Sequence, residues 1–130
     1  MTIQLLLVKD KVVVCRTEVP LPGPEGGQNE PSRPALQRLA GIFAIAANER
    51  RLRLMVEMTK REETRFTDLL PVAVNPKLVH DCLEPMVQNG LVVHESKGSA
   101  YRLSMKGVVV VAALTRGMSE MIQAAEEMKA

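Results

Sequence analysis

The stretch Asn75–Gly90, NPKLVHDCLEPMVQNG, constrains this chain more than any other. Asn75 is a favourable N-cap, because its side-chain oxygen accepts from the unpaired amides of a first helical turn. Pro76 then falls at the first helical position, where its missing N–H costs nothing. Gly90 is suited to the left-handed conformation that closes a helix. Val79, Leu83, Met86 and Val87 recur at helical spacing and define a buried face. Cys82 lies in the same helix and is expected to be a small packed residue. Pro85 falls inside it and is expected to bend it or leave a carbonyl unpaired.

The neighbours of this helix follow a recognisable order. Ala35–Ala47 reads as a helix with an apolar stripe of Leu36, Leu39, Ile42, Phe43 and Ile45/Ala46. Asn48 is placed to cap a second helix, Glu49–Thr59. There Leu52, Met55, Val56 and Thr59 are expected inward, and Arg50, Arg51, Arg53 and Glu57 largely outward. Lys60–Thr64 is a charged connection. Phe66–Leu70 is a short helix that Pro71 should end or distort, with Val72–Val74 as the turn into Asn75. After Gly90, the segments Leu91–Glu95 and Ala100–Leu103 flank Ser96–Ser99 and read as strand, turn, strand.

Ser104 is placed to cap a last helix running to about Met128. Val111, Leu114, Met118, Met121, Ala125 and Met128 alternate spacings of three and four, which is a heptad seam. At ~1.5 Å per residue this helix is about 37 Å long, too long to bury its stripe on so small a domain. A homodimer through this seam is expected. Equally, Val108–Leu114 could pack on its own domain and leave only the distal half as seam. Gly117 weakens the helix but would let two helices approach closely.

At the other end, Ile3–Val8 and Val12–Cys15 read as a hairpin turning at Lys9-Asp10-Lys11. An isolated hairpin is marginal in water, so it must pack on the domain or on a second subunit. A single strand per chain pairing with a partner is the alternative. Pro20–Pro34 holds five prolines and three glycines in fifteen residues and reads as a linker. The expected organisation is therefore a hairpin or strand extension over 1–19 and a linker over 20–34. A main domain over 35–103 and a dimerisation helix over 104–130 complete it.

Several function classes are excluded by composition. The chain has 46% hydrophobic and 25% charged residues, which is globular. Phe43, Phe66 and Tyr101 are its only aromatics, too few for a base-stacking platform. Cys15 and Cys82 give no disulfide framework or zinc spacing, and a reduced intracellular setting is the default. The longest apolar run, Val108–Leu114, is short of the ~20 residues that span a bilayer. No nucleophile–base pair, glycine-rich phosphate loop or carboxylate constellation points to an enzyme. No cofactor or metal is expected, and His80 and Cys82, two apart on a helix, face different ways.

The block Arg65–Gly107 resembles the winged helix-turn-helix transcriptional regulators of the HxlR, ArsR and MarR types, including small archaeal ones. Arg65-Phe66-Thr67-Asp68-Leu69 resembles the HxlR-type opening. Asn75-Pro76-Lys77, with Leu83, Met86 and Gly90-Leu91-Val92, resembles the recognition helix. Tyr101–Gly107, YRLSMKG, resembles the join from wing to final helix, and Asn48–Met55 the ArsR-type DPTRLRIL helix. The resemblance covers about the last two thirds of the chain, and residues 1–34 carry no part of it. It implies an α+β, mainly α fold and dimeric binding of double-stranded DNA, in a cytoplasmic, nucleoid-associated setting. Each recognition helix would enter a major groove, with half-sites about 34 Å apart or a multiple of that.

On that reading, Asn75, Lys77 and His80 of the recognition helix touch DNA. Arg65 and Thr67 stand at the start of the preceding helix, near the backbone. Ser96, Lys97, Ser99 and Arg102 belong to the wing. Charge is unevenly placed. Lys77 against Asp81 and Glu84 leaves the recognition helix at −1, whereas Lys97, Arg102 and Lys106 against Glu95 leave the wing region at +2. Segment 48–65 is also +2, with Arg50, Arg51 and Arg53 as a lateral basic strip. This pattern favours phosphate clamping by wing and flanks over rich base readout. The acidic helix and low net charge equally suit a second function, a winged-helix protein-interaction module that does not read DNA.

Overall fold

A computed structural model describes residues 2–20, 31–96 and 98–128. Most of the expected linker, and Lys97 of the wing, lie outside the described residues. The chain divides into two units, Met1–Gln37 and Arg38–Ala130.

The N-terminal aliphatic runs pair as an antiparallel hairpin, β1 (Thr2–Lys9) with β2 (Val12–Pro20). The turn is two residues, Asp10 and Lys11, rather than three. Both have positive φ, 51° and 65°, the mirror-image turn whose twist matches that of the strands. β2 extends five residues beyond the expected Cys15. Leu7 pairs with Cys15 and Val8 with Val13, so Val14 is an extra residue in the ladder.

α1 spans Arg33–Ala46, with the Ser32 hydroxyl accepting from the Ala35 amide at 3.2 Å. Its expected stripe meets the core only at its end. Ile45 and Ala46 are buried, whereas Leu36, Leu39 and Phe43 stay exposed. Asn48 caps α2 (Glu49–Met58), its Oδ1 accepting from the Arg51 amide at 3.1 Å. The buried face of α2 is Leu54, Met55 and Met58, with Val56 and Thr59 exposed. The inward face is therefore turned from the expected one, which had included Val56 and Thr59. Arg51 is half-buried, and its guanidinium donates to the Ile45 carbonyl at 3.2 Å.

α3 runs Phe66–Ala73, straight through Pro71. The expectation that Pro71 ends the helix fails because a proline removes one hydrogen bond, and Leu69 and Ala73 on either side of it are anchored in the core. Asp68 accepts from the Arg65 amide at 2.9 Å and steadies the helix start. Val74 closes α3 at φ 66°, a left-handed conformation that a β-branched residue adopts only under strain.

α4 spans Pro76–Gln88, and Asn75 accepts from the Lys77 amide at 2.8 Å. Pro85 is likewise carried within it. Val79, Cys82, Leu83 and Met86 are buried. Gly90 has φ 73°. The Gly90 amide donates to the Val87 carbonyl and the Leu91 amide to that of Met86, at 3.1 and 2.9 Å. Together these bonds make a complete Schellman closure, with Leu91 and Met86 both fully buried beside it.

The wing strands are shorter than expected. β3 (Val92–Val93) pairs with β4 (Arg102–Leu103), and Thr64 forms an isolated bridge to Tyr101 with two 2.8 Å backbone bonds. The last helix is continuous over Met105–Glu127 but not uniform. α5 (Met105–Val111) passes through a π-helical segment, Ala112–Gly117, into α6 (Met118–Glu127). By length and composition alone this helix is apolar enough to cross a membrane, more so than Val108–Leu114 by itself indicates. Its first turns instead belong to the domain core, where Gly107 and Val111 are buried.

Gly107 is where this core is tightest. A Cβ there would lie 2.1 Å from the Leu91 carbonyl oxygen and 3.0 Å from its carbon. These are backbone atoms and cannot rotate away. Gly107→Ala should therefore lower stability by about 2 kcal/mol or more, seen as a reduced midpoint in urea unfolding. Val74→Asn should act oppositely. Val74 is 87% exposed, so no packing is lost, and relief of left-handed strain should raise stability by up to about 1 kcal/mol in the same assay.

Candidate nucleic-acid interface

The exposed side of α4 follows from its buried side. With Val79, Cys82, Leu83 and Met86 inward, Lys77, His80, Asp81 and Glu84 are left outward. Two clefts border this surface. One, of about 970 Å³, lies between the start of α3, α4 and the wing. Arg65, Thr67, His80, His94, Ser99 and Tyr101 are among its lining residues. The other, of about 600 Å³, brings Arg50 and Arg53 of α2 beside Val74, Asn75 and Leu78. The first half of α4 thus stands between two concavities, each carrying arginine.

Four of the expected contact residues, Arg65, Thr67, His80 and Ser99, come together in the larger cleft. Asn75 lines the smaller one. Lys77 lines neither but is exposed on the α4 surface between them. Ser96 and Arg102 stand on the wing outside both clefts. Ser99 also has an internal task. Its hydroxyl donates to the Ser96 carbonyl at 2.6 Å and accepts from the Ser96 amide at 3.2 Å, which pins the wing tip around Gly98 at φ 86°.

His94 and Tyr101 were not among the expected contacts. Their rings stack at 4.1 Å and 17°. The pairing of Val92 with Leu103 and Val93 with Arg102 sets them opposite each other. Burial pushes the Tyr101 phenol up from its ordinary value. The stack forms the wing-side wall of the cleft, facing His80.

Much of the expected basic character is neutralised within the chain. Arg102 pairs with Glu95 at 3.3 Å and Arg53 with Glu49 at 3.3 Å. Glu57 holds both Lys60, at 2.8 Å, and Arg61, at 3.3 Å. The hydrogen bond from Lys60 holds the Glu57 carboxyl below its usual range. Lys106 Nζ donates to the Asn89 carbonyl at 3.1 Å. Exposed pairs of this kind are weak and open readily to a competing phosphate. The lateral strip is accordingly smaller than charge counting indicates, with Arg51 turned inward and Arg53 shared.

Among the described residues, no group of three or more His, Cys, Asp or Glu side chains is placed to hold a metal ion.

No protein-family model matches the chain, and no curated protein matches it. Solved structures do. One is the homodimeric winged helix-turn-helix DNA-binding domain, fragment 1–100, of Mb0332 from Mycobacterium bovis, a possible ArsR-family transcriptional regulator. It is 22% identical with a TM-score of 0.55, over 79% of this chain and 93% of that one. Another is RV1404 from Mycobacterium tuberculosis, at 18% identity and a TM-score of 0.51, over 72% of each chain. At these identities the likeness is one of fold, and this chain has the winged-helix fold.

Proposed function

We propose that the chain is a duplex-DNA-binding transcriptional regulator that acts as a homodimer, with α4 in the major groove and the wing on the backbone. The observation that carries this reading is the exposed first half of α4, flanked on both sides by arginine-bearing clefts. The likeness to a homodimeric DNA-binding domain of a possible ArsR-family regulator supports it. The resemblance of Arg65–Gly107 to HxlR and MarR regulators, and to small archaeal ones, belongs to the same proposal. So does a cytoplasmic, nucleoid-associated location.

Asn75, Lys77 and His80 read or position the groove. Arg65, Thr67, Ser96, Lys97, Ser99 and Arg102 hold phosphates. Asp81 and Glu84 on the same helix repel phosphates and restrict base contacts to its first turns, although a carboxylate can accept from a cytosine amino group.

The dimer forms through the last helix. Val111 packs in its own domain core and Leu114 is half-buried, whereas Met118, Met121, Ala125 and Met128 are exposed. The partner helix covers this distal stripe. α1 leaves Leu39 and Phe43 exposed as well, a second apolar surface available to the same assembly.

A second reading rests on the internal pairing of the cations together with the exposed Asp81 and Glu84. It takes the chain as a winged-helix protein-interaction module without DNA reading.

A mobility shift with duplex DNA in rising salt separates the two. Binding at low salt that weakens steeply with salt is expected, and absence of binding at low salt leaves the interaction module. Lys97→Glu with Arg102→Glu should weaken binding uniformly across sequences and flatten the salt slope by about 2, near one per lost phosphate contact. Lys77→Ala should instead change which sequences are preferred. Identical behaviour of the two variants would refute the division into clamp and reader. For the dimer, Met118→Glu with Met121→Glu should yield a folded monomer by sedimentation and circular dichroism. A dimer of unchanged affinity would show that the distal stripe is not the interface.

A further inference from the structure

We infer that one face of the N-terminal hairpin is a second contact between copies of this chain, packed against the same face of its partner's hairpin. The inference rests on the homodimer proposed above. Side chains alternate along a strand, so the pairs Ile3 with Val19, Leu5 with Thr17 and Leu7 with Cys15 share one face. The opposite face holds Gln4 with Glu18 and Leu6 with Arg16, and Gln4 donates to the Glu18 carboxylate at 2.5 Å. Glu18 and Arg16 thus lie on one side, leaving an aliphatic face that carries, besides the Cys15 thiol, a single charge, Lys9 at its turn end. Leu5 is 51% exposed and Leu7 38%.

A two-stranded hairpin is marginal in water without a covered face. Its one charge, Lys9, stands at the turn end, so a two-fold axis through the middle of the face sets the two lysines at opposite ends of the contact. A two-fold axis through such a face gives a self-complementary contact.

Its size also selects the occupant. Eight residues at ~3.4 Å, two strands wide, give roughly 270 Å² in plan, against about 800 Å² per partner in a standard stable interface. The face is too small to capture a free protein. Two hairpins already joined through their chains are held at high effective concentration, and there a small contact suffices. The twelve residues 21–32 reach at most about 40 Å, so each hairpin stays near the dimer that carries it.

Cys15 reports on this face, and buried Cys82 is the internal control. In the purified full-length chain, N-ethylmaleimide alkylation of Cys15 is followed by intact mass, with sedimentation at the same concentrations. Alkylation should be roughly tenfold slower where the chain is dimeric than after dilution to monomer. Leu5→Lys should restore the fast rate while the dimer persists, and Leu6→Lys, on the opposite face, should not. Fast alkylation in the wild-type dimer overturns the inference and leaves the homodimer standing. So does slow alkylation in the diluted monomer, which means that the chain covers its own hairpin. Equal release by Leu5→Lys and Leu6→Lys overturns the face assignment. A monomer at every concentration overturns the homodimer reading itself.

Discussion

The winged-helix unit depends on a single backbone carbonyl, that of Leu91. It accepts from the Ser104 amide at 3.0 Å, and the turn at Gly107 packs directly on it. Ser104 Oγ also donates to the Gly90 carbonyl at 2.5 Å and accepts from the Gly107 amide at 3.0 Å. One serine therefore caps α5, closes the wing and ties both to the C-terminal end of α4. Because Leu91 and Met86 are buried in the Schellman closure just before this knot, α4 cannot roll without breaking it. The orientation of Lys77 and His80 is set from the far end of their own helix. A surface helix held in this way presents its exposed side chains in a fixed orientation.

The same economy explains the polar residues in the core. Thr64 is fully buried and its hydroxyl lacks a partner, a cost of order 1–3 kcal/mol for such a group. Its backbone bridges Tyr101 on both sides, and this holds the α2–α3 connection against the wing. Tyr101 in turn stacks on His94. The cleft wall nearest His80 is thus built on a residue whose side chain is unfavourable where it sits and whose main chain is required.

Local chemistry was legible in the sequence, and relative rotation was not. Asn48, Asn75, Gly90 and Ser104 take the capping positions that their side chains or lack of one suggest, because a cap is decided within four residues. Pro71 does not end α3, since tertiary burial of Leu69 and Ala73 outweighs one missing backbone bond. On α2, Val56 and Thr59 are expected inward from the sequence, whereas Leu54 and Met58 are the buried positions. The surfaces of α3, α4 and α5 that pack on α2 decide between them. Arg65, Thr67, His80 and Ser99 were identified one by one, but their convergence in one cleft depends on where α3, α4 and the wing meet. His94 required only the wing register, and the two-residue strands made that register hard to place.

The π-helical segment bears on what the last helix can do. Within it the Met118 amide donates to the Ala113 carbonyl, five residues back, so the helix carries an extra residue relative to α-helical winding. A heptad seam places Val111 and Met118 on one line, and the extra residue rotates one from the other. The Thr115 hydroxyl donates to the Val111 carbonyl at this point, supplying a side-chain donor where the backbone pattern changes. Val111 faces the core of its own domain while Met118, Met121 and Ile122 face outward. A uniform α-helix with this sequence would have to favour one of those surfaces over the other. The change of winding lets one continuous helix serve as a core element over its first two turns and present an apolar stripe to solvent over its last three.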